Sequence, residues 1–166
     1  MSLTATIKAS IAGSHTSALD LGTAEMPFNV AKAIAMANGA GIDQCDVLFS
    51  DTRTLSASAT ENLDLAGALT NAFGTAVFAR AKAIFVIADA ANTNDVQVTR
   101  PASNGLPFFM AAGDGFSVGP GDCMLLTRRS AAGWVVTAGT GDLITVTNSA
   151  GSTSVTYSVV ILGAAT

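Results

Sequence analysis

Few side chains in this 166-residue chain are equipped for chemistry. His15 is the one histidine, so a Ser-His-Asp relay or a histidine-bearing zinc site would have to use it. It lies in the Ser/Thr-rich stretch Gly13–Ser17, and the one Gly-x-Ser-x-Gly run, Gly115–Gly119, leads into the turn residues Pro120-Gly121 and not into a helix, so it makes no nucleophile elbow. Cys45 and Cys123 are far apart in sequence and belong to no Cys-x-x-Cys or other metal-like spacing, so they read as free thiols. Ten of the twelve acidic residues are Asp, and Asp114, Asp122 and Asp142 each adjoin glycine. Paired carboxylates can cleave glycosides, but Asp beside Gly is the ordinary chemistry of a turn in which the side chain bonds its own backbone. The only Glu residues are Glu25 and Glu61, and one Trp and one Tyr are too few for a sugar-stacking cleft. No Asp-x-Asp-x-Asp-Gly calcium loop is present. Gly119-Pro-Gly121 and Gly139-Thr-Gly141 continue into neither a Walker lysine nor a helix, so they read as turns and not as phosphate cradles. These residues predict a protein that is not an enzyme and carries no metal or cofactor.

Composition points the same way. Charged residues make up 12% of the chain, against about 25% in an ordinary soluble domain, while 49% is hydrophobic and much of that is Ala. Such a surface suits a membrane protein, a disordered chain, a domain largely covered by partners, or a neutral β surface rich in Ser and Thr. No apolar run reaches the ~18 residues of a spanning helix. High hydropathy with low charge is the reverse of the disordered signature. Coverage by partners and a neutral β surface therefore remain. The net charge of −4, with eight Lys and Arg scattered along the chain, argues against binding a phosphate backbone. The one adjacent basic pair, Arg128-Arg129, ends a strand and reads as an exposed tip. Residues 1–11 alternate and lack a basic, apolar leader pattern, so synthesis and folding in the cytoplasm are expected.

The elements that would position these residues are strands. Val96–Thr99, Asp122–Thr127, Trp134–Ala138, Leu143–Thr147 and Val155–Leu162 are short runs of β-branched, aliphatic and aromatic residues bounded by Gly, Asn, Ser or Asp, the pattern of a sandwich or barrel. Leu3–Ile11 alternates as a half-buried strand, and Val47–Phe49 is a short one. Gly13–Ser17 reads as a loop. Pro27–Ala37 is ambiguous between helix and strand, with Phe28, Val30, Ile34 and Met36 of one parity favouring strand. The stretch from Leu55 to Leu65 alternates, and Asp64–Phe73 is compatible with one or two helical turns capped by Asp64 and Gly74. Val77–Ile87 is the strongest strand of this half, wet at Arg80 and Lys82 and dry beyond. Trp134 reads as a core plug or an interface anchor. Phe108 and Phe109, in the loop-rich segment Pro101–Gly115, are candidate interface residues because adjacent loop aromatics do not easily both turn inward. Arg128 and Arg129 join them as candidates.

Ser50-Asp-Thr-Arg-Thr-Leu55, Asn62-Leu-Asp-Leu-Ala-Gly67, Lys82-Ala-Ile84, Asn92-Thr-Asn94, Gly119-Pro-Gly121, Thr137-Ala-Gly-Thr-Gly-Asp-Leu143 and Tyr157-Ser-Val-Val-Ile-Leu-Gly163 give the chain a resemblance to small tailed-bacteriophage virion structural proteins. The resemblance covers most of the chain beyond residue 45 and is weaker before it. Its size and strand pattern are similar to capsid decoration or cement proteins. That likeness implies a single all-β domain over 1–166, a jelly-roll-like β-sandwich with at most one short helix, residues 1–45 being a strand and loop region open to exchange with a neighbouring subunit. It further implies a homo-oligomer, commonly a trimer, on the capsid surface of a virion, with the major capsid protein as partner and neither nucleic acid nor membrane bound. A tail, baseplate or fibre component that binds a host receptor or glycan is the alternative.

Overall fold

The computed structural model describes residues 2–67 and 69–166, and every regular element among them is a strand. In chain order these are β1 (Ala5–Leu19), β2 (Gly22–Asn38), β3 (Gln44–Cys45), β4 (Val47–Leu55), β5 (Thr60–Asp64), β6 (Thr70–Asn71), β7 (Gly74–Thr75), β8 (Arg80–Ala88), β9 (Val96–Thr99), β10 (Gly115–Val118), β11 (Cys123–Thr127), β12 (Trp134–Val135), β13 (Leu143–Asn148) and β14 (Val155–Ala164).

From residue 47 onward the chain builds two antiparallel sheets. One has the order β11-β8-β14-β4, with β12 extending the β11 edge along β8; the other has the order β10-β9-β13-β5. Apart from the β6-β7 hairpin, successive strands cross between the sheets, except that β9 and β10 lie together in one and β11 and β12 in the other. This is the connectivity of a jelly roll, so the expected all-β sandwich is the fold of the body. The period-2 pattern explains it. Val155, Tyr157, Val159 and Ile161 of β14 face inward, as do Ile84, Val86 and Ala88 of β8, and they meet Ile144 and Val146 of β13 and Val96 and Val98 of β9. Trp134 is part of this core. One polar bridge spans the two sheets: the Tyr157 hydroxyl donates to Glu61 Oε1 at 2.8 Å, and Glu61 Oε2 pairs with Arg53 Nε at 2.9 Å.

The outer faces account for the low charge. Thr52 pairs with Ser158, Thr54 with Thr156 and Thr60 with Thr147 through hydroxyl contacts of 3.0–3.1 Å, and Thr145 donates to Asn62 at 2.7 Å. These hydroxyls satisfy one another across strands, so no ion pair is needed there.

Several sequence expectations are corrected. Gly13–Ser17 is not a loop but the middle of β1. Val77–Ile87 starts as a strand only at Arg80, Trp134–Ala138 pairs only over its first two residues, and Val47–Phe49 extends to Leu55. The alternation from Leu55 to Leu65 is broken by a turn in which Ser58 takes a positive φ of 55°. The described residues of Asp64–Phe73 form turns and short strands and no helix. The Asp64 carboxylate accepts from the Ala66 amide at 2.8 Å, an Asx turn, and β6 and β7 then form a small hairpin. Ala68 of that segment lies outside the described residues. β10 has no strong sequence signal, because only Val118 of its four residues is buried.

Candidate interaction surface on a projecting hairpin arm

Before the body comes a feature of different character. β1 and β2 pair antiparallel over fifteen positions, from Ala5 opposite Met36 to Leu19 opposite Gly22, with Asp20 and Leu21 at the tip. At about 3.4 Å per residue the ribbon is about 50 Å long. From Lys8 to Ala33 every residue is exposed, so the arm leaves the body and stands free.

The register sorts its side chains into two faces, because directly opposed residues share a face. One face carries Ile7 with Ile34, Ala9 with Lys32, Ile11 with Val30, Gly13 with Phe28, His15 with Met26, Ser17 with Ala24 and Leu19 with Gly22, so it is mainly apolar beyond Lys32. The other carries Lys8 with Ala33, Ser10 with Ala31, Ser14 with Pro27 and Thr16 with Glu25. The arm is therefore amphipathic. Its apolar face is uncovered beyond the root: Ile11 is 73% exposed and Val30 75%. The Phe28 ring lies over Gly13, where an added Cβ would come within 2.8 Å of it, so the glycine read as a turn signal serves as the seat of an aromatic ring. Pro27 lies five residues from the hairpin's closing pair, at a non-hydrogen-bonded site where its missing N–H costs no ladder bond.

The root is held firmly. Ile34 and Met36, with Leu3, Ala5 and Ile7 beside them, pack on Ala83, Leu162 and Leu48 of the outer face of the β11-β8-β14-β4 sheet, with Cys45 beneath. Lys82 is the unexpected element here. Read as the wet end of its strand, it is 1% exposed, because the connector after the arm folds over it. Its Nζ donates to the carbonyls of Ala40, Gly41 and Gln44 at 2.7, 2.5 and 2.8 Å. No carboxylate pairs with it among the described residues; burial, with Arg80 nearby, holds its pKa below the ordinary lysine value. Arg129 adds a second clamp. It grips the Asp43 carboxylate with Nε and Nη2, and its carbonyl accepts from the Asp43 amide at 3.2 Å. The Arg129 guanidinium holds the Asp43 carboxyl below the usual carboxylate range.

A two-stranded ribbon alone is marginal in water. Here β1 and β2 also present open backbone edges and the exposed apolar side chains of Ile11, Val30, Phe28, Met26 and Leu19 along about 30 Å. The root is thus fixed to the body while the apolar side chains of the arm stay uncovered in the single chain.

The residues singled out in the sequence are placed otherwise. Phe108 is 8% exposed and belongs to the core, and Phe109 packs against it, ring centroids 4.4 Å apart. The expectation that these aromatics point outward is thus corrected: Phe108 donates its amide to the Leu106 carbonyl at 2.8 Å, and this tight turn directs both rings toward the core. Met110, 98% exposed, is the side chain that projects from that loop. Arg128 is exposed, while Arg129 serves the root of the arm. His15 stands on the exposed apolar face of the arm. Cys45 is buried and Cys123 exposed, both unbridged, and burial pushes the Cys45 thiol up. Asp114 and Asp142 accept backbone amides of Ala111 and Gly139, as turn residues do. No cluster of three or more His, Cys, Asp or Glu able to hold a metal occurs among the described residues. The arm itself escaped sequence reading because Gly13–Ser17 and Pro27 look like breaks. The signal was there: two alternating runs of similar length flank Asp20-Leu21.

No family model, curated protein or solved structure matches the chain.

Proposed function

We propose that this protein is a bacteriophage virion structural protein, a decoration or cement module that binds the major capsid shell and stabilises it as a homo-oligomer. The observation that carries the reading is the free amphipathic arm fixed to a jelly-roll body: the fold leaves a long apolar face that only an assembly would cover. The stretches that resemble phage virion proteins supply body elements, Ser50–Leu55 in β4, Asn62–Asp64 in β5 and Tyr157–Gly163 in β14. The hydroxyl ladders give outer faces with few charges to desolvate, which favours close packing against neighbours. Quantitative mass spectrometry of purified particles tests it. Hundreds of copies per particle are expected; a handful would indicate a tail or baseplate position instead, and none would end the virion reading.

A further inference from the structure

We propose that the arm is covered by a second copy of this chain, each copy laying its arm on the outer face of the other's β11-β8-β14-β4 sheet. The occupant is argued from continuity and area. The root of the arm already packs on that face, at Ala83 and Leu162. Two residues along the strands, beside this contact, the register sets Leu125, Phe85 and Val160 in one row across β11, β8 and β14, with Ile87 exposed beyond Phe85. The row is only partly buried and is of the same chemistry as the patch the root occupies, so the sheet offers a second, vacant place for the same kind of apolar ribbon face. The chain's own arm does not take it, since its pinned root leads residues 8–33 away into solvent.

Area then favours reciprocity. The free, mainly apolar face, Ile11 to Leu19 with its partners, is about 31 Å long and about 10 Å wide, or about 310 Å². One arm on one site removes about twice that from water, below the about 1,200 Å² at which stable interfaces begin. Two exchanged arms remove about 1,200 Å², at the lower edge of the standard range. A two-fold exchange is the smallest closed arrangement that leaves no arm bare.

This inference rests on the arm's geometry and not on the virion assignment, so it is tested on the purified chain with no shell present. Light scattering after size exclusion should give about 33 kDa for the wild type, twice the 16.6 kDa of one chain. Ile11→Lys with Val30→Lys, an opposed pair on the apolar face, should give monomer with an unchanged far-ultraviolet β spectrum. Ser10→Lys with Ala31→Lys, the neighbouring pair on the polar face, should keep the wild-type mass. Native Cys123, exposed and opposite Ile87, locates the receiving face. Val30→Cys should cross-link between chains with a bismaleimide and lose that cross-link when Cys123→Ser is added. A monomeric wild type, or an Ile11→Lys/Val30→Lys variant of undiminished mass, overturns the proposal. A cross-link that survives Cys123→Ser would place arm on arm and overturn the receiving site.

Discussion

Replacing Lys82 by Met removes one ammonium and keeps a stem of similar length, which makes it the sharpest probe of how the arm is anchored. Three carbonyls, of Ala40, Gly41 and Gln44, lose a charged donor 2.5–2.8 Å away. Hydrogen bonds to charged groups contribute about 1.5–3 kcal/mol each. Against this loss stands the desolvation of the ammonium, several kcal/mol, which Met avoids. The carbonyls lie in half-buried residues, where water replaces the lost donor only in part. The expected balance is a destabilisation of about 2 kcal/mol, or about 4–8 °C in Tm for a chain of this size. The loss should concentrate in the connector. Exchange of the Ala37 and Gly39 amides, which bond Asp43 and Cys45 carbonyls, should accelerate about thirtyfold, since 1.4 kcal/mol is a factor of ten. Lys82→Arg should fare little better, because a planar fork cannot replace a point charge among three converging carbonyls. Thermal unfolding with amide exchange measures both. A Lys82→Met protein as stable as wild type, with unchanged exchange at Ala37 and Gly39, would refute the view that this ammonium holds the root.

Other consequences are equally direct. Tyr157→Phe should cost about 1.5 kcal/mol by calorimetry, since the Glu61 carboxylate loses one donor but keeps Arg53. Burial first, and Glu61 second, push the Tyr157 hydroxyl up from its ordinary 10.0, so stability present below pH 10 should fall as pH rises beyond it. Because Tyr157 is the sole tyrosine, its ultraviolet phenolate signal should appear only as the protein unfolds in alkali. Asn148→Ala should cost about 2–3 kcal/mol in denaturant unfolding, because the Asn148 amide donates to the Ser56 and Thr153 carbonyls at 3.0 and 2.7 Å from a buried site. The Asp43–Arg129 clamp should persist down to the unfolded value of 3.8 and be lost as pH falls below it through the depressed native pKa. Asp43→Asn should abolish that part of the acid dependence of stability.

The body was legible because its physics is local. In β9, β13 and β14 buried residues recur every second position, and the turns between carry Gly, Asn and Asp at their boundaries. Asp114 and Asp142 behave as their neighbouring glycines suggest. The arm was half legible: the alternation of β1 and the parity of Phe28, Val30, Ile34 and Met36 were visible, but their pairing across Asp20-Leu21 depends on register, which composition does not encode. Lys82 was misread because a lysine at a strand end is usually solvated, and only the distant connector buries it. Phe108 and Phe109 were misread for a related reason. Whether a loop aromatic turns inward depends on room in the core, and here Phe108 joins the core cluster with Leu106 while Phe109 packs against it.

A reconstruction of the whole particle tests the central claim most directly. The account predicts jelly-roll density repeated over the outer surface of the shell, with each arm lying on a neighbouring copy. Density confined to the tail, or arms extending free into solvent, would contradict it.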